Sequence, residues 1–310
     1  MCAKFYAFHL TRSSAVFSDA LESIINVVAS AFALMSIVLA ARPPDKNHPY
    51  GHGKVEYFSA GFEGALIIIA AIGIFKSGLA HILKPQPLPN LTDGLYILLG
   101  TGLINLILGL GLVRTGKKTH SLALTADGKH VLTDVITSAG VLLGLLLVHL
   151  TGLYWLDGAI ACMVGFSILY TGIILIKESS AGLMDRAEPA LLQEISSLLE
   201  KHRKDNWVGI HELRAFRSGS IVNVSLHLIL PRGFSLSEAH LEAEEVEAVI
   251  EGYFEGRATV LVHLDPCSDP DCPVCRRYAC ELRGSEKSDP TPWNVETLII
   301  QRPGSPPLWE

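Results

Sequence analysis

Charge is scarce through the first 180 residues of this chain and returns only after Lys177. A segment so depleted cannot supply the solvated surface of a water-soluble domain. It reads as a membrane half followed by a soluble half. A long basic run is also missing and the formal net charge is a mild −6, which excludes the electrostatic footprint of nucleic-acid binding. Cysteine is sparse too. There are six, four of them crowded near the end, whereas an exported disulfide scaffold would scatter them through a small domain. Residues 1–14 hold Lys4, His9 and Arg12 and lack a long apolar centre, so no cleavable signal peptide is expected.

What is present is apolar sequence in span-length runs. Roughly 22–41, 58–83, 94–113, 130–153 and 158–176 are each long enough to cross a bilayer. Arg42, Lys46 and Lys54 lie between the first two runs, and Arg114, Lys117, Lys118 and Lys129 between the third and fourth. Positive charge marks the cytosolic side, so 42–57, 114–129 and everything after Lys177 are expected in the cytosol. The amino terminus then falls outside. Residues 4–9 read as the tail of a further helix.

Two polar triplets interrupt the apolar runs with the same spacing. Asp19, Glu22 and Asn26 stand at i, i+3 and i+7, as do Asp127, His130 and Asp134. At about 100° per residue each triplet stays within roughly 60° of arc on one helical face. Ionisable groups inside a bilayer are costly and usually line an ion or proton path. Two facing helices would therefore build one metal site from Glu22, Asn26, His130 and Asp134. With a neutral imidazole, its two carboxylates balance a 2+ ion. The N/O donors suit tetrahedral zinc, and also ferrous iron, cobalt or manganese. Protons compete for the same groups, a direct route to exchange. Asp19 and Asp127 read as acceptors or proton relays behind the ligands, or as plain helix caps.

After Lys177 the periodicity changes. Residues 189–203 and 235–255 read as amphipathic helices, 208–217 and 221–230 as strands of a hairpin around Ser218-Gly219, and 258–264 as a last strand. The order α-β-β-α-β suits a two-layer α/β fold with a three-stranded sheet. Beyond it, Cys267, Cys272, Cys275 and Cys280 read C-x4-C-x2-C-x4-C. In reducing cytosol they favour a metal over disulfides; free thiols and a redox dithiol are the other readings. From about Glu281 proline, serine and charge suggest disorder.

These residues resemble the cation diffusion facilitators, closest to the bacterial dimeric zinc and iron efflux branch. The marks are Ser18-Asp19-Ala20 before Glu22 and Asn26, His48-Pro49-Tyr50-Gly51-His52-Gly53-Lys54, the Asp127, His130, Asp134 series, and Leu183-Met184-Asp185-Arg186. They extend the likeness over about residues 4–267. The resemblance implies a helical transmembrane bundle, here five complete spans plus a stub, followed by a cytosolic ferredoxin-like domain. It implies a homodimeric, multi-pass inner-membrane exporter, not an enzyme, that exchanges zinc or ferrous iron, with cobalt, cadmium and manganese as further cargo, for protons. It implies metal at Asp45, His48 and His52 in the first cytosolic loop, zinc at His211, His227, His240, His263 and Asp265, and a charge pair between Lys54 and Asp185. The expected domains are 1–180, 181–266 and a cysteine-containing tail, 267–310, largely disordered after 281.

Two departures accompany the likeness. The family's first transmembrane helix is mostly absent, so about 20 further apolar residues are expected upstream. The second-helix pair, usually Asp or His followed four residues on by Asp, is Glu22 and Asn26, and a carboxamide oxygen is a weaker ligand than a carboxylate. Two other functions would use the same residues. One is a metal sensor or scaffold with a degenerate transport site; the other is a membrane metalloenzyme, which would need a catalytic acid or base beside the metal.

Overall fold

The computed structural model describes residues 2–118, 122–277, 280–286 and 291–300, with the backbone alone for 116–118, 122–130 and 133. Contacts divide the chain into two units, Met1–Val38 with Glu56–Ser180, and Leu39–Val55 with Ala181–Glu310.

The first unit is helical. A short α1 (Cys2–Thr11) precedes α2 (Ser14–Ala40), α3 (Val55–Leu83), α4 (Leu91–Lys118), α5 (Leu122–Thr151) and α6 (Trp155–Leu183). Among the described residues, five helices are long and apolar enough to cross a membrane, as the five runs lead one to expect. Each helix begins before its apolar run. Their outer faces carry exposed Leu34, Met35, Ile69, Leu103, Ile104 and Phe166, a surface that lipid rather than water would cover. Inside, Ala15, Val16, Leu98, Val141 and Leu145 pack α2, α4 and α5 together with Ala7 of α1. Ile25, Ile67, Ala71, Ile74, Ala161 and Ile168 join α2, α3 and α6.

Two details position these helices. Asp157, fully buried at the start of α6, accepts hydrogen bonds from the backbone N–H groups of Ser14 (2.7 Å) and Ala15 (3.3 Å) and from the Ser13 hydroxyl. A residue of one helix thus caps the free N-terminal donors of another. Between α3 and α6 the backbones touch: a Cβ on Gly158 would lie 2.4 Å from the Gly78 carbonyl oxygen. Small residues allow this close approach, which drives helix association where lipid removes the hydrophobic force.

The second unit has α7 (Pro189–Lys201), β1 (Gly209–Ser218), β2 (Ile221–Leu230), α8 (Leu236–Tyr253) and β3 (Ala258–Pro266). The expected α-β-β-α-β order is present, with β1 antiparallel and β3 parallel to the central β2. Ser235 opens α8 through a capping box, accepting from Glu238 N while the Glu238 carboxylate accepts from Ser235 N at 2.7 Å. Val222, Val224, Leu226 and Leu228 bury one face of β2 against Leu191, Ile195, Leu199, Val246 and Ile250 of the two helices. Alternation along the strand turns Asn223, Ser225 and His227 to the opposite face.

Part of the tail packs on this unit. Trp293 and Leu298 belong to the core of this unit, and Val295–Leu298 form a short helix, α9. The Arg203 guanidinium lies 4.2 Å from the centre of the Trp293 ring. Composition hid this because two apolar side chains suffice to dock a segment that is otherwise polar.

Candidate metal sites

Register alone builds the first site. His211 pairs with His227 across β1 and β2, and His227 with His263 across β2 and β3, so three imidazoles lie in one row on the face away from the helices. Asp265, two residues after His263, shares that face. Its Oδ2 lies 2.9 Å from His211 Nε2 and 3.0 Å from His227 Nδ1; its Oδ1 lies 3.5 Å from His263 Nε2. Burial pulls the His211 imidazole below its usual 6.5, against the opposing pull of Asp265. Burial would raise the Asp265 carboxyl, but hydrogen bonds from His227 and His211 outweigh it and hold the group below its ordinary range. A neutral His211 that donates from Nε2 keeps a lone pair on Nδ1, a buried atom with no hydrogen-bond partner among the described residues. His211, His227 and Asp265 bring three ligand atoms within 4.8 Å of one another, a donor set that fits zinc. A backbone irregularity follows His211, where Glu212 takes a φ of 51°.

His240 does not join them. It is exposed on α8, with Nε2 3.4 Å from Glu244 one turn along. The reason is the layer order: α8 packs on the buried face of the sheet through Val246 and Ile250, and the histidine row occupies the other.

The second site lies in the loop between α2 and α3. Asp45, His48 and His52 again bring three ligand atoms within 4.8 Å. Each imidazole has a nitrogen 3.4 Å from the Asp45 carboxylate. Backbone N–H groups of His48 (2.7 Å) and Asn47 (2.8 Å) bond to Asp45 Oδ1 and hold its carboxyl below the usual range. The loop runs hard against the hairpin turn, where a Cβ on Gly53 would fall 2.2 Å from Ser218 O. Next to it, Lys54 Nζ lies 2.9 Å from Asp185, with both side chains partly exposed, a geometry of small intrinsic worth.

The third site is in the helical unit. Asn26 Nδ2 on α2 donates to Asp134 Oδ2 on α5 at 2.8 Å, which joins one residue of each triplet. Its amide is engaged with the carboxylate, and its carbonyl oxygen is the atom able to face a cation. Glu22, Asn26 and Asp134 line a cavity of about 670 Å³. Asp127 and His130 belong to α5, but their side chains lie outside the described residues. Asp19, three residues before Glu22 on α2, is a buried acceptor. Its Oδ1 lies 2.9 Å from Lys4 Nζ and accepts from Ser138 Oγ at 2.5 Å, while Lys4 also donates to Ser138 at 3.2 Å.

Comparison with known proteins places both units in one family. Residues 1–184 match the cation efflux transmembrane domain and residues 187–267 the cytoplasmic domain of cation efflux proteins. The chain belongs to the cation efflux family. Relatives include an uncharacterized transporter of Synechocystis, 39% identical over 271 residues that cover 87% of each chain. The cation-efflux pumps FieF of Yersinia pestis and Yersinia pseudotuberculosis are each 32% identical over 269 residues, 86% of this chain and 87% of theirs. Membership makes this protein a multi-pass membrane transporter for efflux of divalent metal cations, with a cytosolic C-terminal domain and no enzymatic role. The cytoplasmic domain supports pairing of two copies of the chain.

The family core ends at residue 267, where the cysteine segment begins. Cys267, Cys272, Cys275 and Cys280 line one cavity of about 390 Å³. Among the described residues their sulfurs do not draw as close together as the ligands of the two histidine sites.

Reading the sequence missed Glu63 and Glu178, which line the cavity beside Glu22 and Asp134. An acid inside an apolar run is a signal that Glu63 offered; Glu178, where charge returns, offered none. Lys4 and Ser138 were missed because their meeting with Asp19 is tertiary.

Proposed function

We propose that two copies of this chain form an inner-membrane antiporter that exports zinc or ferrous iron in exchange for protons. The observation that carries the reading is the Asn26–Asp134 contact, which brings polar groups of α2 and α5 together at the wall of a cavity. The cargo ion would be held by Glu22, the Asn26 carbonyl oxygen, His130 and Asp134. Two carboxylates offset its charge, so the loaded site is near neutral and can cross the low-dielectric interior. When the ion leaves, two protons shared among Glu22, His130 and Asp134 restore that neutrality, which couples the two flows. Glu63 and Glu178 extend the acidic lining of the cavity and would attract cations to it. Asp127 would assist in proton transfer, and Lys4 holds Asp19 as a fixed ion pair behind the ligands.

In the cytosolic domain His211, His227, His263 and Asp265 would bind zinc on the helix-free face of the sheet, and Asp45, His48 and His52 would bind a second ion. Exposed Leu261 shares the histidine face, so a partner copy would cover it and zinc would favour the dimer. Lys54 and Asp185 would fix the loop to the segment after α6. The decisive assay is metal flux in sealed proteoliposomes with an imposed pH gradient and a panel of zinc, iron, cobalt, cadmium and manganese. Flux that needs the gradient and moves protons the other way supports antiport. Metal flux indifferent to pH in both compartments would overturn it.

A further inference from the structure

The cysteine segment contributes to none of the sites above, yet its four cysteines line one cavity. Cys267 is tied to the end of β2 by a 2.8 Å bond from its N–H to Leu230 O. Its sulfur accepts a backbone N–H from Arg232 at 3.4 Å, and the Cys272 sulfur accepts one from Gly284 at 3.5 Å. Between the two central cysteines, Cys275 N closes a turn on Cys272 O at 3.4 Å. The Arg283 guanidinium then binds the carbonyl oxygens of Cys272 (2.6 Å), Arg277 (2.7 Å) and Cys275 (3.4 Å), which pins that turn from behind. Cys272 and Cys275 are buried, and all four cysteines are free thiols.

The segment needs a staple. Cys275 and Cys267 are themselves its contacts with the small cluster of Val208 and Ile229, and its largest aliphatic side chain, Leu282, is half exposed. A short stretch with so little apolar burial is ordinarily held by a disulfide or a metal. Reducing cytosol disfavours the first. Arg232, Arg277 and Arg283 line the cavity together with Glu238, Asp271 and Glu281, so the formal charge of the lining cancels and donor chemistry decides the ligand.

We propose that Cys267, Cys272, Cys275 and Cys280 together bind one thiophilic divalent ion, zinc by the nature of the donors, which closes the segment onto the edge of the cytosolic domain. The thiols surround the cavity, and an ion at its centre draws them in to metal–sulfur distances of about 2.3 Å. Three of the four cysteines lie beyond the residues matched to the family's cytoplasmic domain, which end at Cys267, and none of them lines the cargo cavity.

Cobalt titration of the full-length protein, purified in detergent, reduced and stripped of metal, tests this. One cobalt per chain should give a sulfur-to-cobalt charge-transfer band in the near ultraviolet with the visible bands of a tetrahedral ion. Asp265→Asn should keep that band, Cys272→Ser with Cys275→Ser should abolish it, and Cys280→Ser should weaken cobalt binding roughly tenfold or more. Absence of the band in the unsubstituted protein overturns the proposal, whatever the variants do. A Cys272–Cys275 disulfide found after rapid thiol quenching from cells overturns it as well. Neither readout depends on transport, so failure of the antiport reading leaves this one standing and the reverse.

Discussion

The Lys4 ammonium on α1 lies 2.9 Å from the Asp19 carboxylate on α2, and both side chains are almost fully buried. A charge pair in such a place is held by its own reciprocity. Removal of one partner strands the other in low dielectric, at a cost of about 3–5 kcal/mol. Lys4→Met should therefore lower the thermal stability of the detergent-solubilised protein sharply, and Lys4→Met with Asp19→Asn should regain much of the loss. If the double variant is as unstable as the sum of the singles, the two residues do not act as a pair.

At the cargo site, Asp134→Ala should abolish flux in proteoliposomes, since it removes one of the two ligand charges and the Asn26 acceptor together. Asn26→Asp converts a donor into a third carboxylate. It should bind zinc more tightly and release it more slowly, visible as a lower KM with a lower maximal rate. Asn26→Ala with unchanged rates and unchanged metal preference would show that Asn26 is no ligand.

The Asp265 carboxylate is shared by His211 and His227. Asp265→Asn keeps the shape and removes the charge, so zinc affinity of the cytosolic domain should fall by at least about 10–100-fold. Equilibrium dialysis on the full chain carrying Cys272→Ser and Cys275→Ser, with the histidine-bound zinc counted, measures it.

His211 also sets a pH dependence in the metal-free protein. Its folded-state value lies below 6.5, because burial disfavours the charged imidazole. Below 6.5 the unfolded chain binds more protons than the folded one, so stability falls as pH drops from that point through the lowered value. Asp265, also depressed, contributes stability above its ordinary 3.8 and loses it only at more acid pH. Melting of the chelated protein between pH 8 and 5, followed through buried Trp207 and Trp293, should show a falling midpoint below about pH 6.5. His211→Gln should flatten that slope.

Gly158 faces the Gly78 carbonyl oxygen and the Ile82 backbone nitrogen. Gly158→Ala places a methyl 2.4 Å and 2.8 Å from those backbone atoms, which cannot rotate aside. Helices α3 and α6 must separate, at a cost of about 1–3 kcal/mol. The yield of monodisperse protein in detergent should fall, whereas Gly73→Ala, with open space around it, should behave as the natural chain.

The sequence by itself determined the two halves, the five spans and the α-β-β-α-β order. Those follow from local quantities, namely the length of apolar runs and the periods 3.6 and 2, which a residue carries wherever it packs. It also named Asn26 and Asp134 as partners, because two triplets of equal spacing each define one face of a helix. Tertiary structure alone decided that Lys4 reaches Asp19, that Glu63 and Glu178 line the same cavity as Glu22, and that Trp293 docks into the domain core. It also decided that His240 stands apart from the other histidines. His211, His227 and His263 are brought together by strand register and His240 is kept away by the layer in which α8 lies. Both are properties of long-range packing that composition and spacing do not encode.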